Sequence, residues 1–257
     1  MKVHIPFSNS SGNTCRVFND TASILIDCGV SMAQLFKHGK FDVDTIFITH
    51  AHTDHISGVG GLGRATDAKI YTSPEALEVR LGNNRNFFKG CDVTTICEGD
   101  SVVVGSLSVT AHKTSHDSPG SLYYTVDYVE ADTRFGLVTD TGVYLPEMES
   151  VLDSCDALLL ESNHDQDMLE DFPGYSPSHK KRIKSSYGHV SNDQTCEFID
   201  KHIDLDTKQW IAFGHLSENT NRPQLVLDNI KNAFPQYDRF SVAPSREILV
   251  IEGNGRV

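Results

Sequence analysis

The chain of 257 residues contains no apolar run approaching the length of a membrane span, and its first residues, MKVHIPFSNS, lack a basic segment followed by an apolar one. The expectation is a soluble, cytoplasmic protein with no membrane partner. CxxC spacing is also absent: the six cysteines, Cys15, Cys28, Cys91, Cys97, Cys155 and Cys196, are scattered. A chain of this size needs no disulfide scaffold, and reduced thiols are expected. Positive charge is in short supply, with 22 Lys and Arg against 35 Asp and Glu and a formal net charge of −13. A long-range field of that sign repels phosphate and argues against indiscriminate nucleic-acid binding. No Pro/Ser linker, low-complexity tract or short-period repeat breaks the chain, so one domain over residues 1–257 is expected.

What the chain does have is THAHTDH at residues 49–55, directly after the apolar run Thr45-Ile46-Phe47-Ile48. Side chains alternate faces along a strand, so His50, His52 and Asp54 share a side if the backbone stays extended, and His55 turns away into the next element. Residues 57–65, SGVGGLGRA, read as a glycine-rich helix with Asp54 near its N-terminus. The alternative is a polar loop that happens to be rich in histidine, but HxHxDH spacing is far more demanding than a lone histidine pair. Imidazole suits zinc, and a carboxylate widens the choice to manganese or iron.

Strands are expected at 3–7, 16–19, 23–27, 45–49, 69–72, 92–96, 101–104, 107–112, 121–128, 134–139, 157–160, 210–213 and 248–251, with a turn at 10–13. Helices are expected at 31–38, 57–65, 145–151, 191–202 and 223–234, with another starting at Ser73-Pro74. Residues 161–178 are polar. Strands in a first block, then strands interleaved with helices, suggest two sheets facing each other with helices outside. Three strand ends carry a further metal-capable residue: His116 in KTSHD, Asp140 in VTDTG and His215 in FGHLS. Alone, each reads as a capped or hydrogen-bonded loop residue. Together with HxHxDH they become candidate ligands.

This set resembles the metallo-β-lactamase superfamily, whose motifs are an Asp after an early strand, HxHxDH, a later His, an Asp and a final His. The resemblance covers essentially the whole chain and implies a single-domain α/β fold, a four-layer αββα sandwich, with two divalent metals, zinc first and manganese as the alternative. By that likeness His50, His52 and His116 bind one metal, Asp54, His55 and His215 the other, Asp140 bridges them, and Asp27 orients a loop or a ligand from outside. Three further blocks, LLLESNHDQDML, YSPSHKKRIKSSYGHVSN and FGHLSENTNRP, are similar to the YycJ-type branch, also called WalJ. Its members are regarded as DNA-processing exonucleases related to tRNase Z. One difference is SHDSPGSLYY around His116, where that branch is expected to have alanine after the aspartate and a more compact Pro-Gly turn.

The function this implies is phosphodiester hydrolysis of nucleic acid, with DNA favoured and RNA as the alternative. Two divalent ions roughly 3.5 to 4 Å apart hold a hydroxide that attacks phosphorus in line, Asp54 being both ligand and orienter. His189, in GHVSN, is the candidate acid for the leaving oxygen, with Glu161 or His164 positioning it. The alternative for His189 is a loop residue bonded to its own backbone. Lys180, Lys181, Arg182 and Lys184 form the one concentrated basic run, read either as a solvated helix face or as a grip on backbone phosphates. Tyr175 and Tyr187 flank it as packing residues or base-stacking ones. His4, His38, His112, His179 and His202 have no motif support. The rival functions are a cytosolic small-molecule metallohydrolase acting on a thioester, lactone or cyclic phosphodiester, and a non-catalytic scaffold of the same fold.

Overall fold

A computed structural model describes residues 1–39, 42–244 and 247–253. Three strands open the chain: β1 (Lys2–Asn9), β2 (Gly12–Phe18) and β3 (Ser23–Ile26), β2 running antiparallel to both neighbours. The first turn is narrower than the sequence suggests. Only Ser10 and Ser11 turn, and Asn13 lies within β2, opposite Ser8.

Helix α1 (Met32–Leu35), closed by a capping box between Ser31 and Gln34, leads to β4 (Thr45–Phe47). Then follow α2 (Thr53–Ile56), α3 (Val59–Thr66), β5 (Lys69–Thr72), α4 (Pro74–Asn83) and β6 (Val93–Thr95). The strands β3, β4, β5 and β6 are parallel neighbours in that order. Parallel strands are covered by helices and read as continuous apolar runs, and here Leu25, Ile46 and Ile70 pack with Ile56, Val59 and Leu62 in one buried cluster. Each such side chain contributes roughly 1.5–3 kcal/mol by leaving water. An antiparallel meander follows: β7 (Ser101–Val104), β8 (Leu107–Lys113) and β9 (Leu122–Tyr128).

The chain forms two compact units, and the strands so far belong to the first, made of Met1–Lys113, Ser118–Thr133 and Pro244–Val257. The second comprises Thr114–Asp117 and Arg134–Ala243. Its elements are β10 (Thr133–Val138), entering at Arg134, α5 (Pro146–Asp153), β11 (Ala157–Glu161), α6 (Gln166–Asp171), α7 (Pro177–Ile183), α8 (Asn192–His202), β12 (Trp210–Gly214), α9 (Pro223–Ala233) and β13 (Phe240–Val242). The four strands are parallel, in chain order, with Val138 opposite Leu160 and Glu161 opposite Gly214. Their carboxyl ends therefore finish level, the edge at which open parallel sheets place ligands. Last, β14 (Ile248–Val250) returns to the first unit and pairs antiparallel with β1.

Besides α2 and α7, two short elements escape the sequence reading. Within the polar stretch 161–178, α6 buries only Leu169, and β13 is three residues long. Neither offers enough periodicity to detect. Among the described residues, no helix is long and apolar enough to cross a membrane.

Candidate metal centre

In the first unit, the buried TIF of β4 runs on through Ile48 and Thr49 to His50. The Tyr124 hydroxyl donates to the Ile48 carbonyl at 2.7 Å, and Leu122 N donates to the Thr49 carbonyl, so the cluster starts from a fixed backbone. The extended phase ends sooner than expected. His52 is the N-cap of α2, and Asp54 and His55 stand in its single turn. Asp54 therefore reaches the cluster from a helical turn, not along a strand. Nor does His55 turn away: it is fully buried, with Nε2 3.4 Å from Asp54 Oδ2. A helical turn returns the chain to the same side after one more residue, which period-two reasoning misses.

Asp27, just past β3, ties this turn together. Its Oδ1 accepts from Thr49 N at 2.8 Å, and its Oδ2 accepts from Thr49 Oγ1 and from His55 Nδ1, both at 2.7 Å. Since the Thr49 hydroxyl proton goes to Asp27, His50 Nδ1, 2.9 Å from Thr49 Oγ1, is the donor of that pair. Both His50 and His55 thus carry their proton on Nδ1 and a lone pair on Nε2, the form a metal requires. His52 Nδ1 lies 3.0 Å from His50 Nε2. Gly29 allows this crowding: a Cβ there would stand 1.5 Å from the Asp54 carbonyl oxygen.

In the second unit, the level ends of β10, β11 and β12 place Asp140, Glu161 and His215 side by side, joined by His116 and by His189 from the loop before α8. Asp140 Oδ1 is 3.4 Å from His215 Nε2 and 3.6 Å from His116 Nε2. The His116 ring is turned by Nδ1, which donates to the Gly188 carbonyl at 3.2 Å. Glu161 is fully buried and uses both oxygens: Oε1 meets His189 Nδ1 at 2.7 Å and His215 Nδ1 at 3.1 Å, and Oε2 accepts from Thr141 N at 2.7 Å. Burial pushes its pKa up, but the charges and hydrogen bonds of His189 and His215 outweigh burial and hold the carboxyl below its ordinary value. Glu161 is thus an ionised orienter of two imidazoles. His164 does not share this role. Burial drives its pKa down to about 4, its backbone carbonyl accepts from Asn192 N, and it sits in the wall of the site as a neutral ring. Asn163, which sequence reasoning passed over, fixes His215 through Nδ2 to the His215 carbonyl at 2.9 Å.

The basic run lies on α7 and its C-cap, in the second unit, and its members have different partners. Lys184 pairs with the Glu170 carboxylate and Lys180 with the Glu170 carbonyl, whereas Arg182, half a turn round, gives Nε to Asp117 at 2.5 Å. With Tyr175, these lysines and Lys181 line a groove of about 500 Å³. Tyr175 stacks on His179 at 4.4 Å, and Tyr187 is 61% exposed.

The donors fit a divalent cation. Two ligand atoms each about 2.1 Å from a tetrahedral ion stand ~3.4 Å apart. The Asp54 to His55 separation in the first unit, and those of Asp140 to His215 and to His116 in the second, are 3.4, 3.4 and 3.6 Å. Three or more imidazoles with carboxylates suit zinc and admit manganese.

Residues 22–208 match the family described as Beta-lactamase superfamily domain, and the chain belongs to that family. Its fold is the one the sequence resemblance implies, two mixed β-sheets flanked by helices. The zinc-bound structure of PqqB from Methylobacterium extorquens superimposes with a TM-score of 0.76 at 15% identity, covering 98% of this chain and 100% of that one. Within the family, the chain is similar to the exodeoxyribonuclease YycJ of Bacillus anthracis, 31% identical over 94% of this chain and 91% of that protein. Similar too is the exodeoxyribonuclease WalJ of Streptococcus pneumoniae, 30% identical over 92% and 89%. Family, fold and donor set make this chain a metal-dependent hydrolase.

Proposed function

We propose that the chain is a nuclease that hydrolyses phosphodiester bonds of nucleic acid, DNA in preference to RNA, working as an exonuclease in the cytoplasm. In this reading the two units act as one catalytic domain over 1–257. His50, His52 and His116 would hold one divalent ion, Asp54, His55 and His215 a second, and Asp140 would serve both. When bound, the ions supply an activated water and neutralise the charge that builds on phosphate.

The observation that carries this reading is the Glu161–His189 contact at 2.7 Å beside Asp140. A thiolate leaves a thioester without help, but a sugar oxygen leaving phosphorus needs a proton. Glu161, ionised, takes the Nδ1 proton of His189 as its hydrogen-bond partner and stabilises the imidazolium, so that Nε2 can deliver a proton to that oxygen. The His189 side chain is 15% exposed, open enough to meet a substrate. Lys180, Lys181, Arg182 and Lys184 meet backbone phosphates without reading bases. The names carried by the two relatives favour DNA and an exonuclease. The net charge of −13 repels a polyanion more than a small molecule, which favours a second reading, a small cyclic phosphodiester as substrate.

The test is incubation with end-labelled linear duplex DNA, single-stranded DNA, RNA and a cyclic dinucleotide, in zinc and in manganese. A ladder shortening from one end of DNA is expected. Turnover of the cyclic dinucleotide alone would select the second reading, and turnover of none with metal bound would sink both.

A further inference from the structure

Asn13 is a buried polar residue that neither the motif nor the proposed chemistry uses. It is only 5% exposed, and its backbone is locked: Asn13 O accepts from Gly29 N at 2.9 Å and from Thr14 Oγ1 at 2.6 Å. Its side-chain amide nitrogen lies 3.0 Å from the Asn9 carbonyl, 3.0 Å from His55 Nε2 and 3.3 Å from Asp54 Oδ2. Its side-chain oxygen is buried and meets no hydrogen-bond donor among the described residues.

That asymmetry fixes which way the amide points. Turned over, the oxygen would face the Asn9 carbonyl, the Asp54 carboxylate and a lone pair, three repulsive contacts. The NH2 therefore faces these acceptors, and the chain tolerates an unsatisfied carbonyl to keep it there. One hydrogen is committed to Asn9. The other lies between the Nε2 lone pair of His55 and the carboxylate of Asp54, the two atoms that the proposed function assigns to one cation.

We propose that Asn13 is a positioning residue for the cation site of Asp54 and His55. Its second hydrogen rests on His55 Nε2 in the metal-free protein. With that lone pair given to a cation, the hydrogen would rest on Asp54 Oδ2, 3.3 Å from the amide nitrogen, and would hold the carboxylate in its ligating orientation. Outer partners of this kind alter metal affinity by roughly 10–100-fold. The inference rests on the two-metal reading, and its test separates the two.

Metal-free wild type, Asn13→Ala and Asn13→Asp are titrated with Co(II), followed by visible absorption and by metal content after dialysis. Urea unfolding of each metal-free protein checks that it is folded. Wild type is expected to fill two sites. Both variants should fill one with wild-type affinity and the other at least about 10-fold more weakly. Asn13→Asp keeps the shape, so it carries the test if Asn13→Ala does not fold. Two sites of wild-type affinity in either folded variant would overturn the role of Asn13. Tighter binding by Asn13→Asp would also overturn it, because an oxygen ligand, not a donor, would then be what the site wants. Wild type that takes up no cation would sink the two-metal reading itself.

Discussion

Asp27, Asp140 and His215 leave their strands at φ of 60°, 58° and 55°, in the left-handed region that side chains other than Gly, Asn, Asp and His seldom enter. The sequence shows a polar residue after an apolar strand but not the sign of φ, so the candidates are legible there while their approach is not. Asn13 and Asn163 are harder to read, since an isolated Asn in a chain carries no pattern. His164 gives a prediction at this scale. Its folded pKa of about 4 lies below its ordinary 6.5, so the unfolded chain binds the proton more readily. The resulting stability is present above pH 6.5 and is lost as pH falls toward 4. Between pH 7 and 5, the metal-free protein should lose about 2 kcal/mol more in urea unfolding than His164→Gln. Equal losses would remove His164 from the account.

At the scale of the element, α7 has two working faces. Lys180 and Lys184 turn to Glu170, Arg182 to Asp117 next to His116, and Lys181 pairs with none of these. Exposed pairs of this kind contribute only about 0–1 kcal/mol to stability, but they decide which cation is available to phosphate. Lys181→Gln should therefore weaken binding of a linear duplex and lower the slope of log K against log salt by about 1. Lys184→Gln should change that slope less, because its charge is already matched. Equal slopes in both would mean that the run works as an undivided patch. The sequence marks these residues as a basic run, and the helix that divides them begins at Ser176-Pro177, a cap and first-turn proline. The turn of α2 is less legible, because four residues of helix leave no period to see.

At the scale of the whole molecule, the strand blocks and most helix starts follow from alternation, buried apolar runs and caps. Two facing sheets with helices outside follow from the order of strands and helices, and resemblance to a family implies the four-layer form. The division into two units did not show in the sequence, because the chain passes between them without a linker and residues 114–117 and 118–133 fall on different sides. Metal ties the whole to its stability: a ligand bound only to the folded chain at a thousandfold excess over Kd adds about 4 kcal/mol. For a chain of this size, chelation should then lower the melting temperature by about 10 °C, reversed by zinc or manganese. An unchanged melting temperature would show that the folded protein holds no such ion.

The left-handed strand ends also bear on how such a centre can arise. Glycine enters that region without strain, and two of its codons each differ from an aspartate codon by a single base. A strand already bent by glycine at position 27 or 140 would gain its carboxylate with no movement of the backbone. The scaffold can therefore precede its ligands in descent, and chemistry can be acquired one strand end at a time.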